Sequence, residues 1–238
     1  VSAFSGNKKS AIKDNSVLTF DFKTNIIDSP TEDNDDIFDF SEKENNVLVY
    51  DMVEAIKKAK TDEKIKGISI ETDGLRAGMT QLDAVRTALQ DFKKSGKFVY
   101  AYGNNVSQPA YYLGSVADEY FLNPAGGIEL KGLSTEVLYM KSFTEKFGIG
   151  TEIIRHGKYK SAVEPFMRDD MSPENKEQIS TMLNDLWSNN ATKIAASRKI
   201  NANQFKTVVD SLYGIIPDLS LKYKLANRLI QKTEYDNL

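Results

Sequence analysis

The chain has no cysteine, a single histidine, and no apolar run of the roughly 20 residues that a membrane-crossing helix needs. The first absence excludes disulfides, thiolate metal ligands and cysteine nucleophiles. The second leaves His156 alone and excludes a multi-histidine zinc site. The third excludes a transmembrane helix within these residues, and no signal-peptide pattern stands at their start. The residues begin at Val1, so these absences say nothing of an anchor elsewhere in the natural protein. An excess of positive charge is also missing. The 31 Lys and Arg face 34 Asp and Glu, a net charge of −3, which gives no footing for a nucleic acid or another polyanion. What remains is a globular composition, 40% hydrophobic and 27% charged, over 238 residues. That length suffices for a substantial core.

The apolar pattern predicts an α/β domain. Residues 1–15 are polar and read as a flexible lead-in, with one domain over 16–238. Val17–Phe22 reads as a strand. Asp28–Asn46 is acidic and reads as a solvated loop. Its acids, Glu32, Asp33, Asp35 and Asp36, lack the glycine and distal glutamate of a calcium loop, so no metal is expected. Leu48, Met52, Ile56 and Ala59 recur at helical spacing. Gly67–Thr72 is a strand; Leu82, Val85, Leu89 and Phe92 mark a second helix, closed by Ser95-Gly96. Phe98–Tyr102 is a strand, Pro109–Val116 a short helix, and Tyr120–Leu122 a strand ended by Asn123-Pro124. Alternation of this kind implies parallel strands joined by crossovers.

Beyond Gly132 the rhythm changes. Val137–Phe147 predicts a helix and Thr151–Arg155 a strand. Ser172-Pro173 opens a long helix, with serine as cap and proline in its first turn. Its apolar stripe, Ile179, Met182, Leu183, Leu186, Trp187, Ala191, Ile194 and Ala195, reads as core or subunit interface. Gln204–Leu212 and Leu221–Ile230 read as closing helices.

Between that strand and that helix lies His156-Gly157-Lys158-Tyr159-Lys160-Ser161-Ala162-Val163-Glu164-Pro165-Phe166. Lys160 sits where a strand gives way to a loop, among hydrophobic residues. Burial penalises the charged amine and lowers its pKa, which is how lysine becomes a general base near neutral pH. The plainer reading is a solvated lysine beside a turn. Glu164, Asp169 and Asp170 either hold the lysine loop, cap the turn at Met171-Ser172, or sit in solvent. An acid too near the amine raises its pKa and spoils the base.

The segment Gly157–Phe166, followed by Arg168-Asp169-Asp170-Met171-Ser172-Pro173-Glu174, resembles the signal peptide peptidase A (protease IV) family. Ser107–Ser115, the run Leu122-Asn123-Pro124-Ala125-Gly126-Gly127, Gly132, and Ser95-Gly96-Lys97 fit as well. The resemblance runs from about Val17 to the end of the chain. It implies a Clp-protease/crotonase-like α/β fold, with repeated β-β-α units, parallel strands and C-terminal helices. It also implies a membrane-anchored serine peptidase that degrades cleaved signal peptides with a Ser-Lys dyad and no cofactor. The anchor would place the enzyme in the bacterial inner membrane, with its catalytic part on the extracytoplasmic side. Lys160 would be the general base, taking the proton of a serine that attacks the peptide carbonyl.

The nucleophile of that family is the serine of Ser-Gly-Gly before an aromatic pair. Aligning Tyr111-Tyr112 with that pair puts Gln108 at the serine position and Pro109-Ala110 at the glycines. Glutamine has no suitable nucleophilic oxygen, and proline removes a backbone donor. Ser107 is one position off, a turn of about 100° on a helix. The loop that should offer amides to an oxyanion reads Thr72-Asp73-Gly74-Leu75-Arg76-Ala77-Gly78, a degenerate form. Long-form members carry two tandem copies, the first with the lysine and the second with the serine. By resemblance this chain is the first copy. Its implied partners are the C-terminal half of the same polypeptide, further copies in a dome-like oligomer, apolar signal peptides, and the membrane through an N-terminal anchor. The competing readings are a non-catalytic crotonase-like scaffold, an acyl-coenzyme A-binding domain using Gly126-Gly127, and a His156 base acting with Ser161 or Ser107.

Overall fold

A computed structural model describes residues 12–21, 25–30, 46–154, 156–157 and 160–238. Most of the lead-in and most of the acidic segment lie outside the described residues. The chain divides into two compact units, one of Val1–Lys131 with Thr192–Leu238 and the other of Gly132–Ala191.

The first unit is built on a parallel sheet. Its strands are β1 (Ser16–Phe20), β4 (Ile65–Glu71), β5 (Phe98–Val106), β6 (Glu119–Ile128) and β7 (Arg228–Leu229), hydrogen-bonded in the order β1-β4-β5-β6-β7. A second, two-stranded parallel sheet pairs β2 (Asn25–Ile27) with β3 (Asn46–Leu48). Helices α1 (Val49–Thr61), α2 (Met79–Lys93) and α3 (Gln108–Gly114) form the connections. The apolar positions that predicted α1 and α2 are the buried ones: Met52, Ile56 and Ala59 in α1, and Leu82, Val85, Leu89 and Phe92 in α2. The Lys97 ammonium donates to Ala59 O and Asp62 O, both at 2.7 Å. It thereby satisfies carbonyls left open as α1 ends, where a cation suits the helix dipole.

Two strands run further than their sequence predicts. β5 continues to Val106, and β6 does not stop at Asn123-Pro124 but reaches Ile128. The β5–β6 register slips between Gly103 and Asn105, passing from Gly103↔Leu122 to Asn105↔Gly127. Pro124 falls inside that slip, where its missing N–H breaks no ladder bond.

The end of the first unit departs most from expectation. α7 (Ala202–Asp210) forms near its predicted place, but Leu221–Ile230 is not a helix. α8 (Pro217–Lys222) stops, Lys224 turns with φ 64°, and β7 adds to the sheet beside β6. Ile230 N–H donates to Leu122 O at 3.0 Å and Asn227 N–H to Tyr120 O at 2.7 Å. The unpaired flank of β6 outweighs a helical spacing too short to decide the period. α9 (Lys232–Tyr235) then docks Tyr235 on the sheet. Its hydroxyl is 2.7 Å from Ser69 Oγ, and its ring stacks on Tyr102 at 5.0 Å.

The second unit contains α4 (Lys141–Lys146), a 3-10 turn at Ser161–Val163, α5 (Glu164–Met167) and most of α6 (Pro173–Arg198); the last turns of α6 belong to the first unit. The helix expected over Val137–Phe147 is reduced to α4, and Thr151–Ile154 is not a strand. Leu138 is 77% exposed and Ile154 96%. Short elements gain their stability from packing, and these apolar residues have none. Among the described residues of this unit the buried ones are Thr144, Glu164, Ser172 and Asn175, all polar.

Candidate active site

At the carboxyl ends of β4, β5 and β6, the usual place for a site on a parallel sheet, polar groups of the first unit bond to one another beside a cavity of about 340 Å³ lined in part by Asn105, Ser107, Gly126 and Gly127. Ser107 is the N-cap of α3, and its Oγ accepts the Ala110 N–H at 3.4 Å. Gln108 opens the helix, with Pro109 after it. The Gln108 Oε1 accepts the Lys131 N–H at 3.0 Å, which joins the start of α3 to the segment leaving β6. The aromatic pair that follows is anchored inside. Tyr111 is fully buried and its hydroxyl donates to Leu225 O at 2.7 Å, while the Tyr112 hydroxyl donates to Asp83. Burial raises the pKa of both.

The loop that the resemblance assigns to oxyanion binding begins with Thr72, fully buried, whose Oγ1 lies 3.0 Å from Tyr102 O and 2.8 Å from the Tyr120 hydroxyl. Asp73 is the next residue. Its carboxylate accepts the N–H groups of Asn104 at 2.9 Å and of Asn105 at 3.0 Å, and also the Asn104 side-chain amide. These are amides at the β5 register slip. The loop therefore presents a carboxylate, already bonded, where an oxyanion hole needs free donors, and its negative charge opposes a developing oxyanion. Gly126 and Gly127 lie within β6, tight against neighbouring backbone. A Cβ on Gly126 would stand 2.1 Å from Asn104 O, and one on Gly127 2.7 Å from Ile215 O. Their glycine identity is required by close backbone packing in the β5–β6 region.

The lysine segment lies wholly in the second unit. Lys160, with φ −87° and ψ 79°, immediately precedes the 3-10 turn Ser161–Val163, which runs straight into α5. The sequence places it among hydrophobic residues, but here it is exposed. Neighbouring apolar side chains do not cover it, since Phe166 and Met167 are themselves each 42% exposed. His156 is exposed as well, and Ser161 is half-buried. Glu164 is fully buried and accepts from Ser172 N–H at 3.2 Å, Ser172 Oγ–H at 2.5 Å and Asn175 Nδ2–H at 3.2 Å. Ser172 Oγ in turn accepts the Asn175 N–H at 3.1 Å, as the N-cap its sequence predicts. Asp169 accepts from the Ser142 N–H at 3.1 Å and from its hydroxyl, and Asp170 pairs with Arg168 at 2.8 Å. The Ser142 bonds hold the Asp169 carboxyl below its ordinary pKa. Among the described residues no group of acids and histidine could hold a metal ion, and no helix is long and apolar enough to cross a membrane.

Comparison with known proteins places this geometry. The profile of peptidase family S49 matches residues 91–231, more than half of the chain and inclusive of both Gln108 and Lys160. The chain belongs to peptidase family S49. Protease 4 of Salmonella typhi is 38% identical over 187 residues, which cover 76% of this chain and 30% of that protein. Protease 4 of Haemophilus influenzae is 39% identical over 176 residues, 71% of this chain and 29% of its own length. The chloroplastic serine protease SPPA of Arabidopsis thaliana is 36% identical over 132 residues, 56% and 20% respectively. The resemblance to signal peptide peptidase A thus holds, and with it the Clp-protease/crotonase-like α/β fold. This S49 chain spans about 30% of the length of the Protease 4 relatives it matches.

Two features escape the sequence. The Asp73 clamp depends on the β5 register slip, which no local pattern marks. The burial of Glu164 had one signal, a carboxylate eight residues before a serine cap, but the same spacing fits a solvated acid.

Proposed function

We propose that this chain is the amino-terminal part of a membrane-anchored S49 serine peptidase, in which Lys160 is the general base for a serine supplied by the carboxy-terminal half of the same polypeptide. The observation that carries this reading is the family match across both Lys160 and Gln108-Pro109. The lysine motif is intact, while the nucleophile position holds a side chain without a reactive oxygen. The exposure of Lys160 supports it too, because an amine meant for a group on another part of the protein must be presented outward. A second unit with no buried apolar residue among those described points the same way. The contact that covers Lys160 would strip water from it, favour the neutral amine and let it accept the serine proton. Its substrates would be apolar signal peptides, its site the extracytoplasmic face of a bacterial inner membrane, and its working form an oligomer of such polypeptides.

In the full-length protein, Lys160→Ala should lower kcat for an apolar peptide by at least about a thousandfold, with an unchanged circular dichroism spectrum and melting temperature. Turnover that survives in the folded variant defeats the assignment. The scaffold reading predicts no effect of that substitution on any turnover. The acyl-coenzyme A reading predicts saturable coenzyme binding by the parent protein, seen by calorimetry.

A further inference from the structure

We propose that Glu164 is the positioning residue of the Lys160 turn, holding it through its buried carboxylate against the first turn of α6. This rests on the reading of Lys160 as the base. From Glu145 to Met171, Glu164 is the one buried side chain among the described residues. Among the described residues, the lysine segment is therefore fastened to its unit by an ionisable group. Its carboxylate accepts two bonds from the N-cap Ser172 and one from Asn175 in the first turn of α6, and the helix start is the end where a negative charge is favoured. Apolar contacts tolerate sliding. Hydrogen bonds to a carboxylate are directional and charge-assisted, so they set one register.

The chain between anchor and amine is short and ordered. Ser161–Val163 is a single 3-10 turn, and the Glu164 N–H donates to Ser161 O. On the other side Arg168 N–H donates to Glu164 O at 2.9 Å, and Met140 N–H to Pro165 O at 2.7 Å. Lys160 thus stands one turn from a fixed point while its own side chain stays exposed. That arrangement suits a base that must meet a hydroxyl from elsewhere in the polypeptide. The amine needs no pocket of its own, but its backbone must arrive at the same place each time. Holding α6 capped is the competing role, and Ser172 Oγ already caps that helix through Asn175 N–H.

The test uses the full-length polypeptide and a fluorogenic apolar peptide, with kcat and KM counted per folded molecule from circular dichroism. Glu164→Ala leaves the Ser172 and Asn175 donors without their acceptor and should lower kcat about a hundredfold, with KM unchanged within about twofold. Glu164→Gln keeps an oxygen for the Ser172 hydroxyl but turns an amide N–H towards the Ser172 N–H and the Asn175 side-chain amide, and should lower kcat about tenfold. A lower melting temperature with kcat per folded molecule unchanged would mean that Glu164 only caps the helix, and overturns the proposal. A rise in KM at constant kcat assigns it to substrate binding and does the same. Lys160→Ala separates the two levels. If it stays active, the base reading fails and the positioning claim falls with it. If it is dead while both Glu164 variants keep the parent kcat, only the positioning claim fails.

Discussion

The two units solve the burial problem in opposite ways. The first packs aliphatic and aromatic side chains on both sides of its sheet, with Ile68, Ile70, Val85, Leu89, Phe92 and Tyr120 fully enclosed. Its polar groups at the sheet end are matched internally, Asp73 to the Asn104 and Asn105 amides and Gln108 to the Lys131 amide. In the second unit the described buried residues are all polar, while Phe143, Phe147, Ile149, Met182 and Leu186 each remain more than half exposed. An apolar residue left in water forgoes about 1.5–3 kcal/mol of burial, so these exposed side chains add little to the stability of the second unit. Where a parallel sheet usually places its site, the polar groups of the first unit are bonded to one another. The residue with a candidate role in chemistry sits on the unit that is left open.

The first way to break the contrast is to unseal the packed unit. Arg86 is buried and donates to Tyr112 O, to Ser115 Oγ at 2.9 Å, to Lys193 O at 2.9 Å and to Ser197 Oγ at 2.6 Å. It ties α2, α3 and the final turns of α6 together. Arg86→Met removes all of these donors and should cost about 3 kcal/mol. Trp187 is the only tryptophan and lies in the second unit, so its emission reports on that unit while the far-ultraviolet dichroism averages over both in one urea titration. The dichroism midpoint should fall in the variant while the tryptophan transition, which comes earlier, moves little. A single coincident transition that shifts as a whole would show that the units do not differ in stability.

Alkali sharpens the same contrast with a smaller effect. Tyr102, Tyr111, Tyr120 and Tyr235 all lie in the first unit, and burial raises the pKa of each, that of Tyr235 to about 12. Unfolded tyrosine loses its proton near its ordinary value of 10.0. Between that pH and about 12 the unfolded chain binds fewer protons than the folded one, so stability is complete below the window and falls as pH rises through it. Tyr235 alone accounts for about 2–3 kcal/mol of that loss. Tyr235→Phe should flatten the dependence, read as urea midpoints across the window with tyrosinate absorbance as control. An unchanged slope in the variant argues against a buried, neutral Tyr235.

Much of the first unit was legible because its signals were redundant. The spacing of Met52, Ile56 and Ala59, and of Leu82, Val85, Leu89 and Phe92, agrees with flanking turn residues, and tertiary packing reinforces both. Ser172-Pro173 marked the start of α6 by cap chemistry alone. Leu221–Ile230 misled because a few apolar residues fit either period, and the deciding partner, the flank of β6, is about a hundred positions away in sequence. Val137–Phe147 and Thr151–Arg155 misled for another reason. Their patterns anticipate packing that the described residues do not provide. For the site, motif resemblance singled out Lys160 and Gln108, and both fall inside the S49 match. The bonding of Asp73 across the β5 register slip has no local signature, and the spacing of Glu164 from its serine cap fits a solvated acid equally well.

The smallest effect tests the seal itself. Gln108→Ser puts a hydroxyl at the position that the resemblance aligns with the family's nucleophile, and forfeits the bond from Lys131 N–H, at a cost of about 1 kcal/mol. It should not restore chemistry. Pro109 contributes no N–H beside the new hydroxyl, and the Asp73 carboxylate still holds the Asn104 and Asn105 amides. A serine beside amides already held by a carboxylate lacks the oxyanion stabilisation that lowers its barrier. A fluorophosphonate that labels activated serines should therefore leave the substituted position unmodified, as read by peptide mass mapping, and the urea midpoint should drop slightly. Stoichiometric labelling there would mean that the sheet end of the first unit keeps a working peptidase environment, and that only one side chain separates it from activity.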